Sequence, residues 1–459
     1  MPAPLAFAVL LLAAPDGAAL TLEAAVALAL ERTNDVIQAK EDLLLVDAEW
    51  LQAVGAVLPR LDLSANGGEL FAGSPITEAR FPNAPQLGLP GQLPAFRFGA
   101  FVDGQGNNYS NPQFGLSLRG TQLIYDGGKW WTAIARVDRL GEARRAALAV
   151  VRADVRFRVA QRYYELEKAR QAESTLLQQT QNGEQQLERA QALLIAGRNK
   201  PADVSVVARN LGEDRINWSR QVLAASQARR ALNLELGRDP QIPVELALGF
   251  ELAPGTGPAA PTVVPTLDDA ILLARSRRPE LAQLDAEIAV KEKEVGLQRA
   301  AYFPVVNLEA NYRRNTSRRP DRVFGDPTEN YFATVDLTMR WNLFEGRATD
   351  GRVEAAEIAL RKTVAQRDHL LRQISAEVED RLQTLATQEQ IRSLAEGSIK
   401  AAEDAVRLAS GLYEEGRGTV LEVRDADLRL VQAKLAAINA RLDVEISKEA
   451  LDRALGPKE

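Results

Sequence analysis

Cysteine and histidine, which are common in catalytic and metal sites, are nearly absent from this sequence. The 459 residues include no cysteine and a single histidine, His369. This composition excludes disulfides, thiol catalysis and Cys/His metal sites, and it leaves almost nothing for a histidine-dependent triad. Two acids are more informative, because Glu422 and Asp425 are three residues apart and would share one face of a helix. Such carboxylates either form a solvated surface or, gathered around a narrow opening, attract cations.

The helix that carries these acids follows a strand and a much longer helix. Residues 330–346, NYFATVDLTMRWNLFEG, alternate apolar and polar side chains, which predicts a strand with one apolar and one polar face. Residues 347–414 contain no proline and predict a helix of about 68 residues, roughly 100 Å long. A seven-residue repeat typical of a coiled-coil seam runs through it at Val364, Leu371, Val378 and Leu385. His369 falls at an outward position of this repeat, where we expect a solvated side chain.

Charge and hydropathy narrow the class of protein further. The net charge is −6 with acids and bases interspersed, so nothing indicates a nucleic-acid surface. Residues 5–14 form an apolar run that is too short to span a bilayer but typical of a signal peptide, with small residues at 17–19 for cleavage. We therefore predict a signal peptide at residues 1–19. No later segment approaches 18 uninterrupted apolar residues, so any embedding in a membrane would use strands.

An internal repeat organises the chain. TLEAAVALAL at Thr21 corresponds to TLDDAILLAR at Thr266, an offset of 245 residues (266 − 21). After the first hairpin the offset becomes 219 (416 − 197) and is kept by Gly197 with Gly416 and by Leu236-Gly237 with Leu455-Gly456. A constant offset over so long a stretch predicts a duplication. The first hairpin loop is then 26 residues longer than the second (245 − 219).

The repeat predicts the domain organisation. Repeat 1 covers residues 20–236 and repeat 2 residues 266–456, each running helix, strand, loop, strand, very long helix, tight turn and helix. A Pro/Gly-rich connector at 237–265 joins them and contains one short possible strand, 244–252. The strands and the turns between the long helices are expected at opposite ends of a rod.

Repeat 1 illustrates the elements in order. An amphipathic helix is predicted from Thr21 to Val57, then a strand near Leu61 and Leu63. A return strand at 114–125 leads into a second proline-free helix at 129–196. Polar loops separate the strands of the two hairpins, at 71–111 and 313–329, and we expect the longer first loop, with FPNAPQLGLPGQLPAF, to be mobile and to face outside the cell.

Four strands from one chain are too few for a membrane barrel. The smallest membrane barrels have about eight strands, and an open sheet edge is not tolerated in lipid. Several copies must therefore share one barrel, with about eight strands from a dimer or about twelve from a trimer. Trp130, Trp131 and Trp341 lie where strand meets helix, and they either mark the membrane interface or pack at the junction.

The ordered motifs resemble TolC-type outer-membrane efflux proteins, the outer membrane factors. They are LSLRGTQLIYDGG, its echo LTMRWNLFEG, and GLYEEGRGTVLEVRDADLRLVQAK before a final LG, and the similarity covers roughly residues 21–456. The resemblance implies a mainly α fold with a small β part, in which three protomers build one twelve-stranded β-barrel in the outer membrane from four strands each. Below it, a long antiparallel coiled-coil α-helical barrel would cross the periplasm.

The resemblance also implies partners and a function. The tip of the helical barrel would dock a periplasmic adaptor, which links it to an inner-membrane pump or secretion ATPase. The chain would then be a passive exit duct for efflux or type I secretion. No cofactor and no metal are expected.

Four residues are assigned to the periplasmic aperture by the resemblance. Tyr413 matches a tyrosine three residues before the second turn glycine, and Glu422 and Asp425 match acids that form charged rings at the closed mouth. Asp203, six residues after the first turn glycine, matches an aspartate that helps lock the mouth. Threefold symmetry would bring six carboxylates of the acid pair together in a cation-attracting constriction.

The tip turns themselves are expected to contact the adaptor. They comprise Gly197, Arg198, Gly416, Arg417 and Gly418. Relatives place an arginine between turn and acids where this chain has Gly418, so a locking salt bridge would need Arg417 or Arg198 instead.

Two other classes of function compete with the channel. A coiled-coil scaffold of the envelope without a pore explains the helices but not the paired alternating strands. An enzyme would need a catalytic motif, and the sequence has no glycine-rich phosphate loop or metal-ligand cluster. Heat-modifiable trimers in outer-membrane fractions would favour the duct, and a soluble periplasmic rod the scaffold.

Overall fold

The computed structural model describes residues 19–72, 109–197, 200–247, 265–317, 328, 331–415 and 417–457. The predicted signal peptide, the body of the first loop, Arg198, Gly416 and most of the connector lie outside these residues. The chain divides into two compact units, which we call the helical unit (1–47, 139–290 and 360–459) and the sheet unit (48–138 and 291–359).

The secondary structure is mainly helical with one small sheet. The helices are α1 Leu22–Arg32, α2 Asn34–Gly55, α3 Lys129–Ile195, α4 Pro201–Glu235, α5 Leu267–Arg277, α6 Pro279–Arg299, α7 Ala348–Glu414 and α8 Val420–Leu455. The strands are β1 Arg60–Ala72, β2 Tyr109–Tyr125, β3 Val305–Ser317 and β4 Tyr331–Arg340. The hairpin loops are thus shorter than predicted, because β1, β2 and β3 extend into them.

The two long helices agree with the prediction to within one residue at either end. Each contains 67 residues. At the start of α3 the Asp126 carboxylate accepts a hydrogen bond of 3.0 Å from the backbone N–H of Trp130, which satisfies one of the donors left free at a helix N-terminus. Gly197, with φ +70°, follows the end of α3, a backbone conformation that glycine adopts without steric cost.

The single helix predicted from Thr21 to Val57 is wrong. The structure breaks it at Thr33, which has extended backbone angles and ends α1, and α2 begins at the next residue. The Thr33 hydroxyl donates a 3.0 Å hydrogen bond to the carbonyl of Glu235, so a contact distant in sequence holds the break. A similar break separates α5 from α6, where Pro279 disfavours helical angles at Arg278.

The sheet is antiparallel with the order β1-β2-β3-β4. The central pair aligns Arg119 with Asn311, and the outer pair aligns Val305 with Arg340. The strand predicted over residues 330–346 ends at Arg340, because β3 begins at Val305 directly after Pro304 and offers no pairing partner beyond it.

Two hydrophobic clusters form the core of the helical unit. The first joins α1, α2, α3, α4 and α8, and its buried members include Ala29, Val36, Val155, Tyr163, Leu232, Ile438 and Leu442. The second joins α5, α6, α7 and α8 through Ala274, Leu281, Ile374, Val378, Leu385, Val444 and Leu451. α8 therefore contributes to both clusters, with different faces.

The four residues of the predicted seam of α7 differ in burial. Val378 and Leu385 are buried and Leu371 is partly buried, but Val364 is exposed. A strict seven-residue row drifts by about 20° per heptad around a straight helix, so its first member turns away from the packed face. His369 is exposed, as predicted.

Two glycines that follow the ends of α4 and α8 make close contacts of the same kind. Gly237, at φ +63°, leaves only 2.9 Å between the position of an added Cβ and the carbonyl oxygen of Arg32. Gly456, at φ +90°, leaves 2.8 Å to the carbonyl carbon of Arg277. The end of α4 thus packs on the end of α1, and the end of α8 on the end of α5, at distances that only glycine permits.

The connector contains less strand than predicted in the part that is described. Leu20 and Leu246 form one isolated parallel bridge, in which the N–H of Leu20 donates to the Glu245 carbonyl at 2.7 Å. The N–H of Ala247 returns a 2.9 Å bond to the Leu20 carbonyl.

Candidate functional site

The turn between α7 and α8 is closed by its own backbone. The N–H groups of Arg417 and Gly418 both donate to the carbonyl of Leu412 at 2.9 Å. A Cβ at Gly418 would lie 3.1 Å from the backbone nitrogen of Tyr413 and 3.2 Å from the carbonyl carbon of Leu412. The tightness of this turn accounts for glycine at a position where an arginine was expected from relatives.

Glu422 lies in the first turn of α8 and completes the cap that Thr419 forms at the start of the helix. Its carboxylate accepts a 2.8 Å hydrogen bond from the Thr419 N–H, and the Thr419 hydroxyl accepts one of 3.3 Å from the Glu422 N–H. This reciprocal capping box fixes the first turn of the helix. Asp425 lies one turn further on, exposed, with an ion pair of 2.8 Å to Arg429. Both acids therefore face solvent in the single chain.

The other two predicted aperture residues, Asp203 and Tyr413, lie on different helices, and no contact joins them in the described residues. Asp203 lies in the first turn of α4 and is partly buried, as is Tyr413 at the end of α7. Arg417 is exposed and its charged partner is Glu415, at 3.9 Å. Within the described ranges, Asp203 forms no hydrogen bond or ion pair with Tyr413, Glu422 or Arg417.

The main polar contact of this region is one that the sequence reading missed. Arg424 of α8 donates two hydrogen bonds, of 2.8 and 2.7 Å, to the two carboxylate oxygens of Asp214 on α4. The side chains are 9% and 5% exposed, so the pair is nearly dry. Gly183 of α3 makes room for it, because an added Cβ there would lie 3.4 Å from Asp214 Oδ2.

A second contact extends this cluster to α3. Gln186 donates a 2.9 Å hydrogen bond to the carboxylate of Asp427. Burial raises the pKa of Asp427, and the hydrogen bond from Gln186 and the charge of Arg424 only partly offset that rise. We call Asp214, Arg424, Asp427, Gln186 and Gly183 the tip cluster. Its contacts link α3, α4 and α8, and its α8 residues are close in sequence to the predicted aperture acids.

The sequence carried a weak signal for this cluster. Asp214 lies three residues after Leu211, a buried residue of the same helix, which is an unusual place for a solvated acid. The arginine that pairs with Asp214 is Arg424. It lies between Glu422 and Asp425, the two acids that the resemblance assigns to the aperture. Only the packing of α4 on α8 brings the two charges together.

The sheet has the two faces that the alternation predicted. Ser64 and Ser117 are hydrogen-bonded at 2.7 Å on the polar face, where Arg119 also donates to Asn311 at 3.0 Å. Side chains of the other face are mostly exposed in the single chain: Leu61, Leu63, Val335, Leu337 and Met339. Among the described strands, β1 and β4 each pair on one side only.

Trp341 directly follows β4, and Trp130 and Trp131 lie in the first turn of α3, which follows β2. Trp131 and Trp341 are exposed, and the rings of Trp130 and Trp131 stack. The indole N–H of Trp341 donates a 3.0 Å hydrogen bond to the carbonyl of Tyr302. This bond holds the ring of Trp341 at the junction while leaving much of its surface uncovered.

The residues that the structure describes contain neither a membrane-spanning helix nor a metal-binding cluster. None of the helices in these ranges has a run of residues long and apolar enough to cross a bilayer. Nor do these ranges bring three or more His, Cys, Asp or Glu side chains together as a metal site would require.

Comparison with known sequences supplies a family and several relatives. The family model described as outer membrane efflux protein matches residues 270–457. Protein CyaE of Bordetella pertussis is 28% identical over 295 residues, which cover 63% of this chain and 58% of CyaE. The outer membrane protein OprJ of Pseudomonas aeruginosa is 26% identical over 247 residues, or 53% of this chain and 48% of OprJ. The chain thus spans about half the length of the curated relatives it matches.

Solved structures share the whole fold. CusC, whose crystal structures concern folding and transmembrane channel formation, superposes with a TM-score of 0.75 over 95% of this chain and 92% of its own, at 16% identity. The outer membrane protein VceC of Vibrio cholerae gives 0.71 over 95% and 96%, at 18% identity. At such identities the likeness concerns the fold, a mostly helical chain with a small sheet.

Proposed function

We propose that this chain belongs to the outer membrane efflux protein family and that it is the outer-membrane channel of a tripartite efflux pump or type I secretion system. In this role three copies form a passive duct through which cargo leaves the periplasm. The family transports rather than catalyses, and the energy for export comes from the inner-membrane partner.

The exposed apolar face of the sheet is the observation that carries this proposal. A soluble protein rarely leaves a contiguous apolar sheet face in water, and an unpaired strand edge invites association. Here Leu61, Val335 and Leu337 are uncovered on strands that are also the two open edges. Placing the apolar face in lipid removes it from water, and pairing each strand edge with another copy satisfies its backbone hydrogen-bonding groups. Three copies then supply twelve strands to one barrel.

We propose further that the chain is an internal duplication, with repeat 1 at 20–236, repeat 2 at 266–456, a connector at 237–265 and a signal peptide at 1–19. The element bounds support this: α3 and α7 differ by 219 residues at both ends, and β1 and β3 by 245 at both ends. A second support is that the side chains at 33 and 278 bond the carbonyls at 235 and 454, which follow the same offsets. The long helices of both repeats would form the antiparallel coiled-coil barrel.

The aperture is proposed at the tips of these helices. Tyr413, Asp203, Glu422 and Asp425 would line the periplasmic mouth, and the exposure of the two α8 acids leaves them available to face their counterparts in other copies. The turns at 197–198 and 416–418 would contact the adaptor, and through it an inner-membrane transporter. Trp130, Trp131 and Trp341 would lie at the membrane interface.

Recording from planar bilayers tests the channel. Purified, detergent-extracted protein should run as a trimer and, on addition to the bilayer, produce discrete conductance steps. The protein should also fractionate with the outer membrane. A monomer that stays dissolved without detergent and gives no conductance would contradict the proposal and favour the scaffold.

A further inference from the structure

The polar face of β4 includes one apolar side chain. Along this face the strand presents Thr334, Asp336, Thr338 and Arg340. Phe332 belongs to the same series and is 58% exposed. In the barrel proposed above this face would line a water-filled lumen, where a phenylalanine gains nothing from burial. The alternation of the strand is thus broken at one residue, and that residue offers an aromatic ring to solvent.

Arg313 lies directly across from Phe332. The two residues are aligned partners in the pairing of β3 with β4, and the guanidinium carbon of Arg313 lies 5.6 Å from the centre of the Phe332 ring. This distance is within the range of a cation–π contact. Arg313 is itself exposed, and within the described ranges it forms no hydrogen bond or ion pair. Its N–H donors are therefore available to a ligand.

No neighbouring acid in the described strands offsets the charge of Arg313. The positions that adjoin it on this face, along β3 and across the two pairings, are uncharged: Ser117, Asn311, Asn315 and Phe332. Glu309, four residues earlier on β3, pairs with Arg119 at 3.9 Å. Asp62 of β1 pairs with Arg60 at 2.9 Å. Arg313 thus differs from the other two arginines, because its positive charge has no carboxylate beside it.

We propose that Arg313 and Phe332 form a binding site for an aromatic carboxylate on the polar face of the sheet. The carboxylate accepts two parallel hydrogen bonds from the guanidinium, and the ring of the ligand stacks on the exposed Phe332 ring. An inorganic anion can use only the first of these contacts, and a neutral aromatic molecule only the second. The two side chains together therefore favour a ligand that carries both groups.

This inference rests on the proposed channel and adds a class of cargo to it. The polar face becomes the wall of a lumen only when several copies close one barrel. Each copy then contributes one pair of Arg313 and Phe332 at the same level of that lumen. Small aromatic acids are thus a class of molecule that the duct contacts on its way out.

Benzoate added to planar bilayers that contain the full-length protein tests this site. It should reduce the conductance of the parent channel. Arg313→Gln should require about tenfold more benzoate for the same reduction, because it removes charge-assisted hydrogen bonds. Phe332→Thr, which restores the alternation of β4, should also weaken the effect. Arg119→Gln is the matched control on the same face, since that guanidinium already donates to Asn311 at 3.0 Å, and it should respond like the parent.

A second probe tests the requirement for an aromatic ring. Cyclohexanecarboxylate has the charge of benzoate but no aromatic ring, so it should reduce the conductance of the parent less at the same concentration. Equal reduction by the two acids would overturn the proposed ligand class. A response to benzoate that Arg313→Gln leaves unchanged, or that Arg119→Gln weakens equally, would overturn the site.

A binding measurement separates the site from the channel. Saturation-transfer NMR on the detergent-solubilised protein detects contact with benzoate without requiring conductance. The signal should fall in Arg313→Gln and stay unchanged in Arg119→Gln. If the parent conducts but this signal is the same in all three proteins, the site is wrong and the channel stands. A parent protein that neither trimerises nor conducts would overturn the channel, and with it the role of the site in a lumen.

Discussion

Arg424 and Asp214 meet end to end across α8 and α4, with two parallel hydrogen bonds of 2.8 and 2.7 Å in a nearly dry interior. Bidentate geometry of this kind fixes the relative register of two helices as well as their separation. The two helices belong to different helical hairpins, α3–α4 and α7–α8, so this pair fixes how the tip of one hairpin packs on the tip of the other.

Removing one partner should cost far more than removing both. Arg424→Met leaves the Asp214 carboxylate buried without a counter-charge, which is expected to lower the free energy of unfolding by about 3–5 kcal/mol. The double variant Arg424→Met with Asp214→Leu should be close to the parent, since apolar replacements of a buried pair are often neutral. Thermal unfolding followed by circular dichroism compares them, and equal losses in both variants would show that the pair acts mainly by packing.

The pH dependence of stability should report Asp427. Its pKa is raised chiefly by burial, so the folded state holds the proton more tightly than the unfolded chain does. The resulting stability is complete below the ordinary aspartate range, around 3.9, and is lost as pH rises through the folded pKa. Asp427→Asn mimics the protonated acid and should therefore be at least as stable as the parent at neutral pH. Melting temperatures measured against pH should converge in acid, and a less stable variant at pH 7 would contradict this.

The turn at Gly418 should not accept a side chain. Gly418→Ala places a Cβ against backbone atoms of Leu412 and Tyr413, which is expected to cost about 1–3 kcal/mol and to loosen the turn. Gly411→Ala is the matched control in the same helix end, where an added Cβ meets nothing within 4 Å, and it should be neutral or stabilising by about 1 kcal/mol. Hydrogen exchange at the amides of 412–418 should rise in the first variant alone. Restoring the family's arginine at 418 should likewise open the turn rather than lock it.

Much of the fold could be read from the sequence because its signals are local. The absence of proline and the turn glycines located α3 and α7 to within one residue, and period-two alternation located β3 and β4. The local sequence does not predict the break at Thr33, because its cause is a hydrogen bond to Glu235, which is far away in sequence. Arg278-Pro279, which lies between α5 and α6 in the second proposed repeat, does carry a local signal for a break.

The candidate site was predictable only in its exposed part. Glu422 and Asp425 were visible as an acid pair, and the structure adds that Glu422 also caps α8. The tip cluster depends on three helices meeting, and neither Asp214 nor Arg424 has a sequence neighbour that predicts the other. Burial of a charge becomes apparent only once the tertiary contact is known.

The acid pair can be tested without disturbing the helix cap. Glu422→Gln keeps a side chain that can complete the capping box, so with Asp425→Asn it removes charge while retaining the fold. If the acids form a ring at the aperture, the double variant should lose cation selectivity and block by divalent cations in planar bilayers. Glu403→Gln with Asp404→Asn, an exposed acid pair on α7, is the control and should conduct like the parent. Unchanged selectivity in the first variant would mean that the pair is a solvated surface.

Alanine substitutions at three glycines with positive φ should separate the cost of backbone strain from the cost of a steric clash. Gly346→Ala meets no atom within 4 Å and carries only the penalty of φ +63°, about 1–2 kcal/mol. Gly237→Ala has the same φ, but its Cβ would lie 2.9 Å from the Arg32 carbonyl oxygen, so it should cost clearly more. Gly456→Ala, 2.8 Å from the carbonyl carbon of Arg277, should match Gly237→Ala if the two repeats close in the same way. Chemical denaturation of the three variants measures this, and a Gly456 loss as small as that of Gly346 would show that the second closure is not equivalent to the first.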